Sequence, residues 1–214
     1  MSRTVLIDYG SGNLRSAEKA LVVAQSRVPG GGSVLTTDDP DAVRLADHIV
    51  LPGVGAFAAC MTALGERPGL IAAMDEAVRG RGAAFLGVCV GMQLLASRGL
   101  EFGETPGLGW IEGEVRRITP SSHHFKVPHM GWNALTETQD HPLFGGLPQG
   151  THVYFTHSFA FDPAAEADVA ARVDHGGAIT AAVARGNIAG VQFHPEKSQA
   201  AGLRLLSNFL EWRP

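Results

Sequence analysis

The sequence predicts an α/β fold built on a mostly parallel central sheet, with antiparallel strands added in the C-terminal half. Two observations predict it. Short strand-like runs, Val5-Leu6-Ile7, Val34-Leu35-Thr36, Ile49-Val50-Leu51 and Ala83-Ala84-Phe85-Leu86, alternate with stretches of helical spacing. Strands buried on both faces by crossover helices leave that texture. Beyond about residue 105 the alternation stops, and strand-like runs follow one another with no long helix between them.

Each element has a local reason. Val5 to Ile7 runs into Asp8-Tyr9-Gly10-Ser11-Gly12-Asn13, a strand entering a glycine-rich turn. Leu14, Ala17, Leu21 and Ala24 then recur at the helical period, and Ser11 or Asn13 is placed to cap that helix. Pro29-Gly30-Gly31-Gly32-Ser33 breaks it ahead of the second strand, and the third stops at Pro52-Gly53-Val54-Gly55. Leu70, Ile71, Met74, Ala77 and Val78 mark a helix face ended by Gly80 and Gly82. The fourth strand runs into Gly87-Val88-Cys89-Val90-Gly91, and helical spacing resumes at Met92, Leu94 and Leu95. Later strands are expected at 110–118, 127–133, 152–161, 179–184 and 188–193, with Arg185-Gly186-Asn187 as the hairpin turn before the last. A final helix is expected from Ser198 to Trp212, with Leu203, Leu206, Phe209 and Leu210 inward.

The chain has 214 residues, 45% of them hydrophobic and 18% charged. A chain of that length buries roughly 70% of its unfolded surface, so one domain over residues 1–214 needs no disulfide or structural metal. The formal charge of −4 argues against non-specific nucleic-acid binding, which rests on a basic field. Two cysteines, Cys60 and Cys89, are too few for a disulfide framework. With no leader-like start and no membrane-length apolar run, a cytoplasmic location is expected.

Gly87-Val88-Cys89-Val90-Gly91 fits the nucleophile-elbow pattern with cysteine in place of serine. There a sharp strand-to-helix turn pushes the nucleophile out above the sheet, and the helix start favours a thiolate. The N–H of Val90 becomes an oxyanion donor. A buried strand cysteine is the competing reading; Cys60, on an apolar helix-like stretch, fits inert core better. A cysteine nucleophile wants an oriented base. His194 follows Gly190-Val191-Gln192-Phe193 and precedes Pro195-Glu196. Proline favours extended chain before it, where residues two apart face the same way, so Glu196 can orient the His194 ring. A strand-end ion pair and a His-x-Glu metal pair compete, the latter weakened by the lack of further ligands at zinc spacing. Pro52-Gly53-Val54-Gly55 offers a second oxyanion donor from Gly53 or Val54, in a turn whose glycines let the peptide reorient.

Taken together, Asp8 to Asn13, Leu51 to Phe57, Gly87-Val88-Cys89-Val90-Gly91-Met92-Gln93 and Gly190 to Ser198 resemble the class I, triad-type, glutamine amidotransferases. Asp-Tyr-Gly-x-Gly-Asn, Pro-Gly-Val-Gly-Ala-Phe and Pro-His-Met-Gly-Trp-Asn (Pro128 to Asn133) are similar to the forms these take in the glutaminase subunits of imidazole glycerol phosphate synthases. The resemblance spans residues 4 to 210. It implies a three-layer α/β/α, flavodoxin-like class I glutamine amidotransferase fold and a Cys89–His194–Glu196 triad. It further implies a glutamine pocket lined by Gly55, Gln93, Ser158 and Phe159, and no cofactor or metal. The chain has no P-loop, GxGxxG or barrel repeat for acceptor chemistry. The resemblance supplies a (β/α)8-barrel cyclase partner in a heterodimer, faced by Asn13, Trp132, Tyr154 and Lys197; core packing is the other reading of Trp132 and Tyr154. Departures are the glycine-rich stretch Arg27 to Ser33, Phe159 in place of a tyrosine, and His123-His124 in a loop without a role. Another amidotransferase of the class, a non-catalytic binding subunit and a cysteine peptidase remain as alternatives.

Overall fold

The computed structural model describes residues 2–214. In chain order the elements are β1 (Ser2–Ile7), α1 (Leu14–Gln25), β2 (Gly32–Thr37), α2 (Pro40–Arg44), β3 (His48–Leu51), α3 (Phe57–Gly65), α4 (Leu70–Asp75), β4 (Ala84–Val88) and α5 (Val90–Gln93). There follow β5 (Arg98–Gly99), β6 (Thr105–Pro106), β7 (Gly113–Arg117), β8 (His129–Thr138), β9 (His152–His157), β10 (Phe159–Pro163), β11 (Val169–Asp174), β12 (Ala178–Arg185), β13 (Ile188–Val191) and α6 (Gln199–Glu211).

Nine strands form one sheet in the order β2-β1-β3-β4-β13-β12-β11-β8-β9. The first five run parallel, and from β13 onward every neighbour is antiparallel. The expected division into parallel and antiparallel halves is therefore present, with one strand from late in the chain, β13, completing the parallel half. A smaller sheet, β10-β7-β5-β6, stands beside it. Every residue of β3 and β4 is buried, as strands covered on both faces must be, whereas edge strand β2 is buried nowhere along its length.

Several expectations need correction. Asn13 occupies the cap position of α1, but its side chain makes no capping bond; the Ser11 hydroxyl turns instead to the Val54 carbonyl. The helix beginning at Leu70 passes into a π-helical turn over Glu76–Gly80 before the chain reaches Gly82 at φ +78°. The run 152–161 is two strands in two sheets, because the chain turns at Ser158 and β10 pairs with β7 rather than with β8. Strand β11 lies where none was expected, and in α6 Leu205 is fully buried while Leu203 is only half-buried. The hairpin at Arg185-Gly186-Asn187 is present, with Arg185 opposite Ile188 and Gly186 at φ +57°. Its Asn187 amide donates to the carbonyls of Val78 and Ala83, tying the turn to the chain entering β4.

Candidate active site

Strands β4 and β13 are parallel neighbours, with Gly87 opposite Gly190 and Val88 opposite Val191. Whatever follows each strand therefore emerges at the same sheet edge, the C-terminal edge at which open α/β sheets bind ligands. Cys89 follows one and His194 the other, and this is how residues 105 positions apart come to share a crevice.

Cys89 takes φ +56°, ψ −114°, a conformation that costs a non-glycine residue about 1–3 kcal/mol. Its N–H donates to the Val191 carbonyl at 2.8 Å, so β13 itself holds the strained turn. The flanking glycines are steric requirements: a Cβ on Gly91 would sit 1.9 Å from the Leu51 carbonyl oxygen, and one on Gly87 2.5 Å from that of Gly91. Such a sharp turn is the expected elbow. The N–H of Val90, at the start of α5, has no partner within the helix.

His194 is extended, at φ −99° and ψ 100°, and its Nδ1 lies 2.8 Å from Glu196 Oε1. A carboxylate only accepts, so Nδ1 carries the proton in this pair and Nε2 is left for the sulfur side. Both side chains are almost wholly buried. Burial pushes the His194 pKa down, but hydrogen bonding and charge from Cys89 and Glu196 outweigh it and raise the pKa to about 9. Nε2 makes no hydrogen bond within the chain and is left to the cavity it shares with Cys89. The backbone is clamped: His194 N–H donates to Tyr154 O, Ser198 Oγ donates to His194 O, and Tyr154 N–H donates to Ser198 Oγ. Helix α6 packs so closely on this turn that a Cβ on Gly202 would stand 1.9 Å from Pro195 O.

A cavity of about 340 Å³ opens over Cys89 and His194. Val54, Gly55, Val90, Gln93, Ser158, Phe159 and Lys197 line it, so most of the sequence-derived pocket residues converge there. Gly53 is buried beneath it, where a Cβ would come within 2.7 Å of Gly91 N. The Val54 N–H is turned to Ser11 Oγ at 3.4 Å, and the Val54 carbonyl accepts from Ser11 Oγ and from Cys60 Sγ. Cys60 is thus more than inert filling: it braces the turn. Gln93 is no surface residue of α5, being buried with its amide donating to Phe159 O and to Gln192 Oε1.

Trp132 and Tyr154 meet edge to face, 6.0 Å between centroids, and Lys197 Nζ stands 5.6 Å over the Tyr154 ring. Trp132, 47% exposed, is not core. Asn13 is exposed at the start of α1, beyond the same sheet edge, and His123 and His124 are exposed in their loop.

Sequence reasoning missed four contributors. Glu101 lines the cavity, its Oε2 accepting from Phe57 N at 2.8 Å; a lone glutamate in an irregular loop gives no signal. Gln192 is fully buried beneath Cys89, hidden inside a motif read for its histidine. His129 and His157 form a buried pair, Nδ1 to Nε2 at 3.0 Å. His157 Nδ1 faces Phe159 O at 2.9 Å and Asn133 Nδ2 faces His129 Nε2 at 3.1 Å. Desolvation, with the neighbouring histidines, lowers His129 to about 3; desolvation also dominates in lowering His157 to about 4. Both rings are neutral and serve as fixed hydrogen-bond spacers. Among the described residues, no group of three or more His, Cys, Asp or Glu side chains is arranged to hold a metal ion, and no helix is long and apolar enough to cross a membrane.

A cysteine on a strained elbow beside a carboxylate-oriented histidine is the arrangement of a thiol-dependent acyl-transfer site. The class-I glutamine amidotransferase family model matches residues 5–212, and the chain belongs to that family. It is 57% identical to the imidazole glycerol phosphate synthase subunit HisH of Caulobacter vibrioides over the full length of both chains. The subunit of the same description from Cereibacter sphaeroides is 56% identical over 99% of each. Among solved structures, a glutamine amidotransferase shares the fold with a TM-score of 0.69 at 22% identity, covering 97% of each chain. The glutaminase domain of Trypanosoma brucei CTPS does so at 0.62 and 14%, covering 100% of this chain and 96% of that one.

Proposed function

We propose that residues 1–214 form one glutaminase domain, the ammonia-producing subunit of an imidazole glycerol phosphate synthase in histidine biosynthesis. The observation that carries the mechanism is the His194–Glu196 bond beside a positive-φ cysteine at the floor of one cavity. The Cys89 thiolate attacks the side-chain carboxamide carbon of glutamine, and the carbonyl oxygen takes the negative charge. His194, protonated and held by Glu196, gives its proton to the departing nitrogen, so ammonia leaves and a thioester remains. Water then adds to the thioester with the same imidazole as base, releasing glutamate and the thiolate. The N–H of Val90 is one oxyanion donor. The second, Val54 N–H, enters the site when the Gly53–Val54 peptide turns away from Ser11, and one such donor is worth about 10²–10³ in rate.

The pocket chemistry suits the substrate. Glu101 offers a carboxylate to the α-ammonium group, while Gly55, Gln93, Ser158 and Phe159 surround the rest. The acceptor is on a second polypeptide, a (β/α)8 cyclase that meets Trp132, Tyr154, Lys197 and Asn13 and receives ammonia out of bulk water. The naming of the relatives as synthase subunits supports a second subunit, and exposed Trp132 packed on half-buried Tyr154, itself under Lys197 of the cavity wall, supports this face for it. The test is glutamate release with and without the cyclase subunit and its ribulosyl-phosphate substrate. Turnover is expected to be low alone and strongly stimulated by the liganded partner. A Cys89→Ala protein should release no glutamate yet support synthesis from added ammonium. High turnover that ignores the partner would overturn the assignment.

A further inference from the structure

The side chain of Gln192 has a definite direction, and it can be worked out from one backbone atom. The Phe159 carbonyl only accepts hydrogen bonds, so Gln93, 3.0 Å away, must present its NH2 group there. The same Gln93 nitrogen is 2.9 Å from the Gln192 amide, which must therefore present its oxygen. That leaves Gln192 Nε2 pointing the other way, 3.8 Å from Cys89 Sγ. His157 Nδ1 donates to the second lone pair of the Phe159 carbonyl, which fixes the hub from the opposite side. Gln192 is fully buried. A primary amide in that position needs a partner for its N–H, and the sulfur is the one it faces.

We propose that Gln192 is a further catalytic residue, whose side-chain amide donates a hydrogen bond to the nucleophilic sulfur of Cys89 and favours the thiolate. The proposal rests on the glutaminase reading for the sulfur's role, but the contact itself does not. A donor to a charged acceptor stabilises the charged form. The amide is uncharged, so it keeps this function whatever the protonation of the other groups of the site: Tyr9 from the turn after β1, His157 lining the same cavity from β9, His194 from the turn after β13 and Glu196 behind it. Gln93 is then a positioning residue, setting which end of Gln192 meets the sulfur.

The test is alkylation of the full-length chain by iodoacetamide across pH, with labelling of Cys89 and Cys60 resolved by mass spectrometry of their peptides. In Gln192→Met, which keeps the length and removes the donor, the half-labelling pH of Cys89 should rise by about one unit, and its labelling rate at any pH on the acid limb fall about tenfold. Gln93→Met, which frees the amide to turn over, should shift Cys89 in the same direction by less. Cys60 should label as before in both. In the unmutated protein, alkylation of Cys89 should move the NMR signals of a buried glutamine side-chain amide, a measurement that needs no variant to fold. An unchanged labelling profile in Gln192→Met, or amide signals indifferent to alkylation, would overturn the proposal. Because no glutamine is involved, a shifted profile in a chain that fails to hydrolyse glutamine would sink the substrate reading and leave the donor intact.

Discussion

Replacing Ser11 with alanine should make the isolated chain a faster glutaminase. Ser11 Oγ accepts from Val54 N–H at 3.4 Å and donates to the Val54 carbonyl at 3.0 Å, so one hydroxyl holds both ends of the residue proposed as the second oxyanion donor. A neutral hydrogen bond contributes about 0.5–1.5 kcal/mol net, and the longer of these two belongs at the low end. Losing both removes about 1–2 kcal/mol from the resting turn, while Cys60 Sγ still donates to the Val54 carbonyl at 3.4 Å and keeps it from collapsing. If turning the peptide limits basal hydrolysis, the partner-free rate rises about five- to thirtyfold. On the proposed reading the liganded complex holds the turn in the productive arrangement and should gain little, so the stimulation ratio should fall by nearly the same factor. The assay is coupled glutamate detection at saturating glutamine, with thermal melts to show that the variant is folded. A folded Ser11→Ala protein with an unchanged or slower basal rate would refute the link between the Ser11 contacts and the resting rate.

Three other perturbations bear on the site. Glu101→Gln should raise KM for glutamine about ten- to hundredfold with kcat near its original value, since it removes a cavity-wall charge that no bond-making step uses; an equal loss in kcat would argue against α-ammonium binding. The raised His194 pKa stabilises the fold fully below pH 6.5 and loses that contribution as pH climbs through about 9. Urea unfolding of the native chain against Glu196→Gln should therefore show a gap near pH 6 that closes by pH 10, smaller than the roughly 3 kcal/mol of the whole shift because Cys89 supplies part of it. The lowered His129 and His157 values act at the other end, being present above pH 6.5 and lost as pH falls toward 4 and 3, because the unfolded chain takes up protons the folded one refuses. His157→Asn, which keeps a donor for the Phe159 carbonyl, should flatten that acid limb in denaturant titrations.

The catalytic strands were legible because their chemistry is local. Glycines at 87 and 91 announce a close approach that the structure measures against Leu51 O and Gly91 O, and the extended His194-Pro195-Glu196 sequence carries the two-residue repeat that brings Nδ1 to Oε1. The antiparallel half was less legible for identifiable reasons. Val169-Ala170-Ala171-Arg172-Val173-Asp174 has alanines where β-branched residues would mark a strand, and it forms β11 because β8 and β12 flank it on both sides. The break at Ser158 leaves no proline or glycine in the sequence; it is imposed by two sheets competing for one run. Glu101 and Gln192 gain their positions from partners distant in sequence, Phe57 N–H for the one and the Gln93 amide for the other. The turn at Gly53–Val54 could be seen as reorientable, but which way Val54 N–H points depends on a serine 43 residues away.

The β8–β9 hairpin explains how a surface can address a buried nucleophile. Side chains alternate across a strand, so Met130 and Trp132 of β8 lie on one face with Tyr154 and Thr156 of β9, while His129 and His157 lie on the other. The first face is exposed at Met130 and Trp132, and the second is packed against the site through the Phe159 carbonyl. Tyr154 also carries the carbonyl that holds His194 N–H and the N–H that holds Ser198 Oγ. A protein gripping Trp132 and Tyr154 therefore grips the backbone that positions the base, with no intervening loop to absorb the displacement. Trp132→Ala should separate these effects: it removes the exposed ring and leaves every one of those backbone bonds in place. The partner-free rate should stay within about twofold of the native value, as expected for a surface change, while the partner concentration needed for half-maximal stimulation rises about tenfold or more, as truncating a buried interface tryptophan does. A large fall in the partner-free rate would mean that the ring supports the site from within, and that the hairpin has no separate outward function.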